Sequence, residues 1–98
     1  MEASIQELKE REAKDEKDFV LLDVREDYER AEFNIGGIHV PLGQISMSLD
    51  KLTPYRDQEI IIYCRSGKRS AMAQELLRQS GFTNVRNLEG GMLAYQAE

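Results

Sequence analysis

The run Glu59-Ile60-Ile61-Ile62-Tyr63 is apolar, β-branched and unbroken, and it stops at Cys64, the only cysteine in the chain. A continuous apolar run of this length reads as a buried strand. A short basic loop follows, and a helix is expected from Arg69 to Gln79, with Ala73, Leu76 and Leu77 on its inner side and Gly81 at its end. A strand that ends at a cysteine and turns sharply into a helix can build a cup of backbone N–H groups around the sulfur. Those donors and the helix dipole favour negative charge there. A thiol so placed ionises easily, and the thiolate is the reactive form. Cys64 is therefore the candidate nucleophile, and Arg65, Ser66, Gly67, Lys68, Arg69 and Ser70 form the candidate active-site loop.

The rest of the chain alternates strands and helices. Ser4 and Glu7 fit a capping box, with a helix through about Ala13. Phe19 to Val24 reads as a buried strand, Glu26 to about Phe33 as a polar helix, and Asn34-Ile35-Gly36-Gly37 as a turn. Ile38-His39-Val40 is a short strand stopped by Pro41, and Ile45, Leu49 and Leu52 have helical spacing across Gln44 to Leu52. Thr83 to Leu88 is a last strand, Gly90-Gly91 a turn, and Met92 to Gln96 a final helix. This order predicts a single α/β domain over 1–98, with a mostly parallel sheet of about five strands and helices on both faces. In such sheets the working site lies beyond the carboxyl ends of the strands, where Cys64 stands.

Composition narrows the function. The formal net charge of -5 makes nucleic acid an unfavourable partner. Against that background Arg65, Lys68 and Arg69 are a local basic exception that suits a small anionic substrate. The amino-terminal segment has no basic stretch followed by an apolar one, and no apolar run reaches membrane-spanning length. With a single cysteine, a reducing, cytoplasmic setting is the simplest expectation. His39 has no second ligand type beside it and Gly36-Gly37 and Gly90-Gly91 read as turns, so neither a metal nor a cofactor is expected.

The chain resembles a single-domain rhodanese-like sulfurtransferase along nearly its whole length. Leu21-Leu22-Asp23-Val24-Arg25-Glu26 is similar to that family's first signature strand. Tyr63-Cys64-Arg65-Ser66-Gly67-Lys68-Arg69-Ser70 is similar to its active-site loop, and Leu88-Glu89-Gly90-Gly91-Met92 to its closing motif. Asn34 and Gly36 stand where the family commonly has His and Pro, which is expected to loosen that turn, and Tyr95 stands where a Trp is common. A buried Tyr95 hydroxyl would need a partner. The resemblance implies that Cys64 takes sulfane sulfur from thiosulfate or a persulfide donor, with the loop amides cradling the outer sulfur. A thiol, cyanide or sulfur-carrier protein then removes it. It also brings to mind rhodanese domains fused to ubiquitin-like-activating enzymes, which feed sulfur to small carrier proteins. Asp23 and Arg25 are expected to support the site as an ion pair that orders the loops.

Two other functions fit less well. Cysteine phosphatases and arsenate reductase-like enzymes use a similar cup, but here four residues separate Cys64 from Arg69, one fewer than in that cup. A shorter loop suits one sulfur atom better than a phosphoryl group. A non-catalytic binding module of the same fold would have no use for the retained cysteine and basic loop.

Overall fold

The computed structural model describes residues 2–97. Its centre is β4 (Glu59–Tyr63), the strand that ends at Cys64. This strand pairs in parallel with β2 (Val20–Asp23) on one side and β5 (Asn84–Leu88) on the other. β3 (Ile38–His39) extends the sheet beyond β2, and β1 (Glu2–Ala3) extends it beyond β5. Among the described residues the sheet thus has five strands, all parallel, in the order β1-β5-β4-β2-β3.

Alternation along β4 sends its side chains into two cores. Ile60, Ile62 and Cys64 join Leu22 and Val85 on one face, covered by Ala73 and Leu77 of α4 (Lys68–Gln79) and by Ile45 and Leu52. Ile61, Tyr63 and Leu88 face Ile5 and Leu8 of α1 (Ile5–Ala13) and Met92 of α5 (Gly91–Ala97) on the other. Ile60, Ile61 and Ile62 are each at most 1% exposed, and burying each one contributes about 1.5–3 kcal/mol. Leu76 is 36% exposed, so only Ala73 and Leu77 of the expected inner trio face the core.

The amino end of β4 is held by charge. Arg11 donates to both oxygens of Glu59 at 2.8 Å. Arg86 reaches Glu59 at 2.7 Å and Glu7 at 2.7 Å. Ser4 Oγ accepts from Glu7 N at 3.0 Å, but the Glu7 carboxylate turns to Arg86, so only half of the expected capping box forms.

Three local expectations change. Gln44 to Leu52 is not one helix: a 3-10 turn at Leu42–Gln44 precedes the single turn α3 (Leu49–Leu52), followed by another 3-10 turn at Thr53–Tyr55. Gly43, Ser46 and Ser48 are weak helix formers, and the spacing of Ile45 and Leu52 reports burial, not continuity. The strand at Glu2–Ala3 went unrecognised because a two-residue strand has no period.

The turn after α2 (Asp27–Glu32) is also tighter than expected. Asn34 Oδ1 accepts from Gly36 N at 2.9 Å, and Asn34 Nδ2 donates to Arg30 O at 3.0 Å. Gly36 sits at φ +87°, where proline cannot go. Asn34 and Gly36 thus replace one rigid turn with another. Tyr95 is likewise provided for: its hydroxyl donates to Glu12 Oε1 at 2.8 Å. Among the described residues no helix is long and apolar enough to cross a membrane.

Gly36→Pro, which restores the proline common in the resembled family, is expected to destabilise the protein by more than about 1 kcal/mol in urea unfolding. An unchanged or raised midpoint would contradict this account of the turn.

Candidate active site

β4 delivers Cys64 to the carboxyl edge of the sheet, and the chain then bends back through Gly67, at φ +100°, into α4. The first N–H groups of a helix have no partner inside it, and here they point at the sulfur. Gly67 N lies 3.0 Å from Cys64 Sγ and Ser70 N 3.4 Å away, with Ser70 Oγ at 3.3 Å. The loop carbonyls face the opposite way. Those of Cys64 and Arg65 accept from Met92 N and Leu93 N, each at 2.9 Å, at the start of α5. This contact explains Gly91: a Cβ there would run into the Cys64 carbonyl oxygen.

Cys64 is fully buried. Burial pushes its thiol up, but hydrogen bonding from the Ser70 side chain and from the amides of Ser70, Gly67 and Ser66 outweighs it. The thiol is held below its ordinary value. Two buried polar residues complete the pocket. Ser70 Oγ is hydrogen-bonded to Asn87 Oδ1, and Asn87 Nδ2 donates to Gly67 O at 3.0 Å. Asn87 was not singled out from the sequence. The available signal was its parity with Val85, which puts an amide on the core-facing side of β5.

The loop cations divide in their roles. Arg69 makes a bidentate pair with Glu29 of α2, at 2.7 and 2.8 Å. Among the described residues the side chains of Arg65 and Lys68 have no acidic partner, and both are exposed. Arg69 therefore braces α2 against the loop, while the charges of Arg65 and Lys68 face solvent. The Arg69 guanidinium holds the Glu29 carboxyl down to about 2, against the opposing effect of burial.

Asp23 and Arg25 lie beneath this brace. Arg25 Nε and Nη2 donate to the two oxygens of Asp23 at 2.9 Å each, and Nη2 also reaches Phe33 O at 2.7 Å. Burial pushes the Asp23 carboxyl up, but Arg25 and Arg30 more than reverse this and hold it below the usual carboxylate range. Arg25 is 4% exposed, so its guanidinium serves the fold and not the solvent. Tyr63, above which Arg25 lies, donates to Gly36 O at 2.9 Å, and burial pushes its hydroxyl up to about 12. His39 is bonded to Arg25 O at 2.8 Å. Among the described residues no three His, Cys, Asp or Glu side chains gather as a metal site would need. A cleft of about 390 Å3 opens over the loop between α2 and α5, lined by Tyr28, Glu32, Phe33, Arg65 and Leu93 among others. Cys64 lies outside that lining.

Fold and site together define a parallel α/β domain with a lone thiol held by loop amides at its carboxyl edge. Residues 4–98 match the rhodanese-like domain, and the chain belongs to that family of sulfurtransferases. It is 41% identical over 98 residues to "Putative sulfurtransferase YtwF" of Bacillus subtilis, covering 99% of this chain and 91% of that protein. It is 38% identical over 93 residues to "Putative sulfur carrier protein YrkF" of the same organism. That match covers 93% of this chain but 48% of the relative. The crystal structure of a rhodanese-related protein from Thermoplasma volcanium superposes with a TM-score of 0.84 at 29% identity, covering 98% of this chain and 90% of that one.

The Glu29–Arg69 pair sets an acid limit on stability. A carboxyl whose folded pKa is depressed stabilises the fold fully above its unfolded value, and the benefit fades as pH falls through the folded value. The stability difference between the protein and Glu29→Gln is therefore expected to be constant above about pH 5 and to shrink steadily between about pH 4.5 and 2. Urea unfolding at stepped pH checks this. A difference independent of pH would remove the ion pair from the account.

Proposed function

We propose that the protein transfers sulfane sulfur from a small anionic donor, thiosulfate or a related persulfide, to an external acceptor through a persulfide on Cys64. The observation that carries this reading is the amide cradle. Gly67 N and Ser70 N converge on one sulfur atom while the loop carbonyls are tied off by α5. Amide donors converging in this way stabilise a thiolate and an outer persulfide sulfur alike.

The chemistry balances without a cofactor. The Cys64 thiolate attacks the outer sulfur of thiosulfate, a Cys64 Sγ–S bond forms, the donor S–S bond breaks, and sulfite leaves with the electron pair. The product is a persulfide anion lying among the amides of Ser66, Gly67 and Ser70. An acceptor nucleophile then attacks the outer sulfur and returns Cys64 as thiolate. Arg65 and Lys68, exposed and without acidic partners among the described residues, draw in the dianionic donor and offset charge on the departing sulfite. Asp23 and Arg25 support the loop from below, and Arg69 does so from the side through Glu29.

The chain has one cysteine, so no second thiol within it can take the sulfur. The acceptor is an external thiol or a sulfur-carrier protein, a reading supported by the relative named as a sulfur carrier.

Intact mass after exposure to thiosulfate is expected to rise by one sulfur atom, to fall back on adding cyanide, and to stay unchanged in Cys64→Ser. A gain retained in that variant would sink the mechanism. No gain with thiosulfate or with any persulfide donor would favour the binding module. Arg65→Ala combined with Lys68→Ala is expected to raise KM for thiosulfate about tenfold while leaving KM for an uncharged polysulfide donor within about twofold. Equal effects on both donors would remove the electrostatic role.

A further inference from the structure

The polarity of the hydrogen bonds behind Cys64 follows from one carbonyl. Gly67 O can only accept, so the Asn87 group facing it at 3.0 Å is the amide nitrogen, and Asn87 Oδ1 is turned to Ser70. That oxygen can also only accept, so the single hydrogen of the Ser70 hydroxyl is given to Asn87. Cys64 Sγ, 3.3 Å from the same Oγ, therefore meets a lone pair. This suits a thiol, whose S–H can donate to Oγ, and opposes a thiolate.

From this geometry we propose that Asn87 is a positioning residue for Cys64: it holds the Ser70 hydroxyl hydrogen away from the sulfur while the thiol is neutral, and the hydroxyl turns to donate to the sulfur when the thiol ionises. The proposal rests on the reading of Cys64 as the nucleophile. The amide donors of Gly67 and Ser70 are fixed by the loop and the helix, but the hydroxyl is a rotor with one hydrogen and two competing acceptors. On ionisation the thiol proton leaves to water, the sulfur gains the Ser70 donor, and Asn87 Oδ1 loses it. Asn87 thereby opposes the acidifying effect of Ser70 and sets how readily the resting cysteine becomes reactive. The other charged groups around the site are Arg65 and Lys68 on the loop, Arg69 paired with Glu29, the Asp23–Arg25 pair after β2, and Glu89 after β5. The test alters none of them.

Because the chain has one cysteine, the pH dependence of iodoacetamide alkylation reads the ionisation of Cys64 directly. Ser70→Ala is made in the otherwise unaltered protein and again with Asn87→Leu. In the first background the hydroxyl must give up Asn87 to serve the sulfur, so its loss is expected to change the thiol ionisation constant by less than about threefold. In the second the hydroxyl is free to serve the sulfur, and its loss is expected to weaken ionisation by about tenfold or more. Any loosening of the loop by Asn87→Leu enters both members of its pair and cancels. Equal effects in the two backgrounds, large or small, overturn the proposal. Asn87→Asp keeps the accepting oxygen and loses the amide donor, so there the effect of Ser70→Ala stays below about threefold. A tenfold effect there also overturns the proposal, and if Asn87→Leu does not fold, Asn87→Ala takes its place with the same expectation of about tenfold or more. Alkylation needs no sulfur donor, so failure of persulfide loading would count against sulfur transfer without altering this result.

Discussion

The site depends on one constraint: a peptide loop cannot present its N–H groups to a sulfur without turning its carbonyls somewhere else. Buried carbonyls need donors as much as buried amides need acceptors. Here the start of α5 supplies them, with Met92 N and Leu93 N bonded to Cys64 O and Arg65 O. The close approach is possible because Gly91 has no side chain. Gly90-Gly91, which by itself reads as a turn, is thus the back wall of the cysteine pocket. β1 extends the same support, because Glu89 N is bonded to Ala3 O just before that turn.

The charged residues extend this support outward. Asp23, Arg25 and Arg30 tie the ends of β2 and α2 together, and Arg69 ties α2 to the start of α4. An arginine beside a cysteine invites assignment as a substrate ligand, yet three of the four near this edge, Arg25, Arg30 and Arg69, are engaged with carboxylates. Buried and half-buried pairs of this kind are costly to break because a lone charge is left behind. Arg65 and Lys68, on the exposed rim, carry no such obligation among the described residues, and their charge stays open to solvent.

Much of the fold was legible in local pattern. The unbroken apolar runs of β2 and β4, the glycine at the end of α4 and the order of elements all led to the parallel sheet that is seen. Where pattern failed, the signal was absent or ambiguous. Glu2–Ala3 is too short to show a period, and Ile45, Leu49 and Leu52 are apolar at helical spacing without forming one helix. The asparagine-glycine turn after α2 was expected to be loose because glycine frees the backbone. Its rigidity comes from the Asn34 side chain, which only the observed geometry shows.

The sequence by itself determined that a lone cysteine would stand at the carboxyl end of a buried strand, before a helix, in a parallel sheet. Those features rest on periodicity, strand length and turn chemistry, all expressed within a dozen or so neighbouring residues. Only the tertiary structure decided which cation is free and where the serine hydrogen points. Arg69 is diverted by Glu29, and Ser70 is held by Asn87 from another strand. Hydrogen bonds and ion pairs act over a few ångströms, so their partners are chosen by how distant segments close upon one another, and no local pattern in the chain encodes that choice.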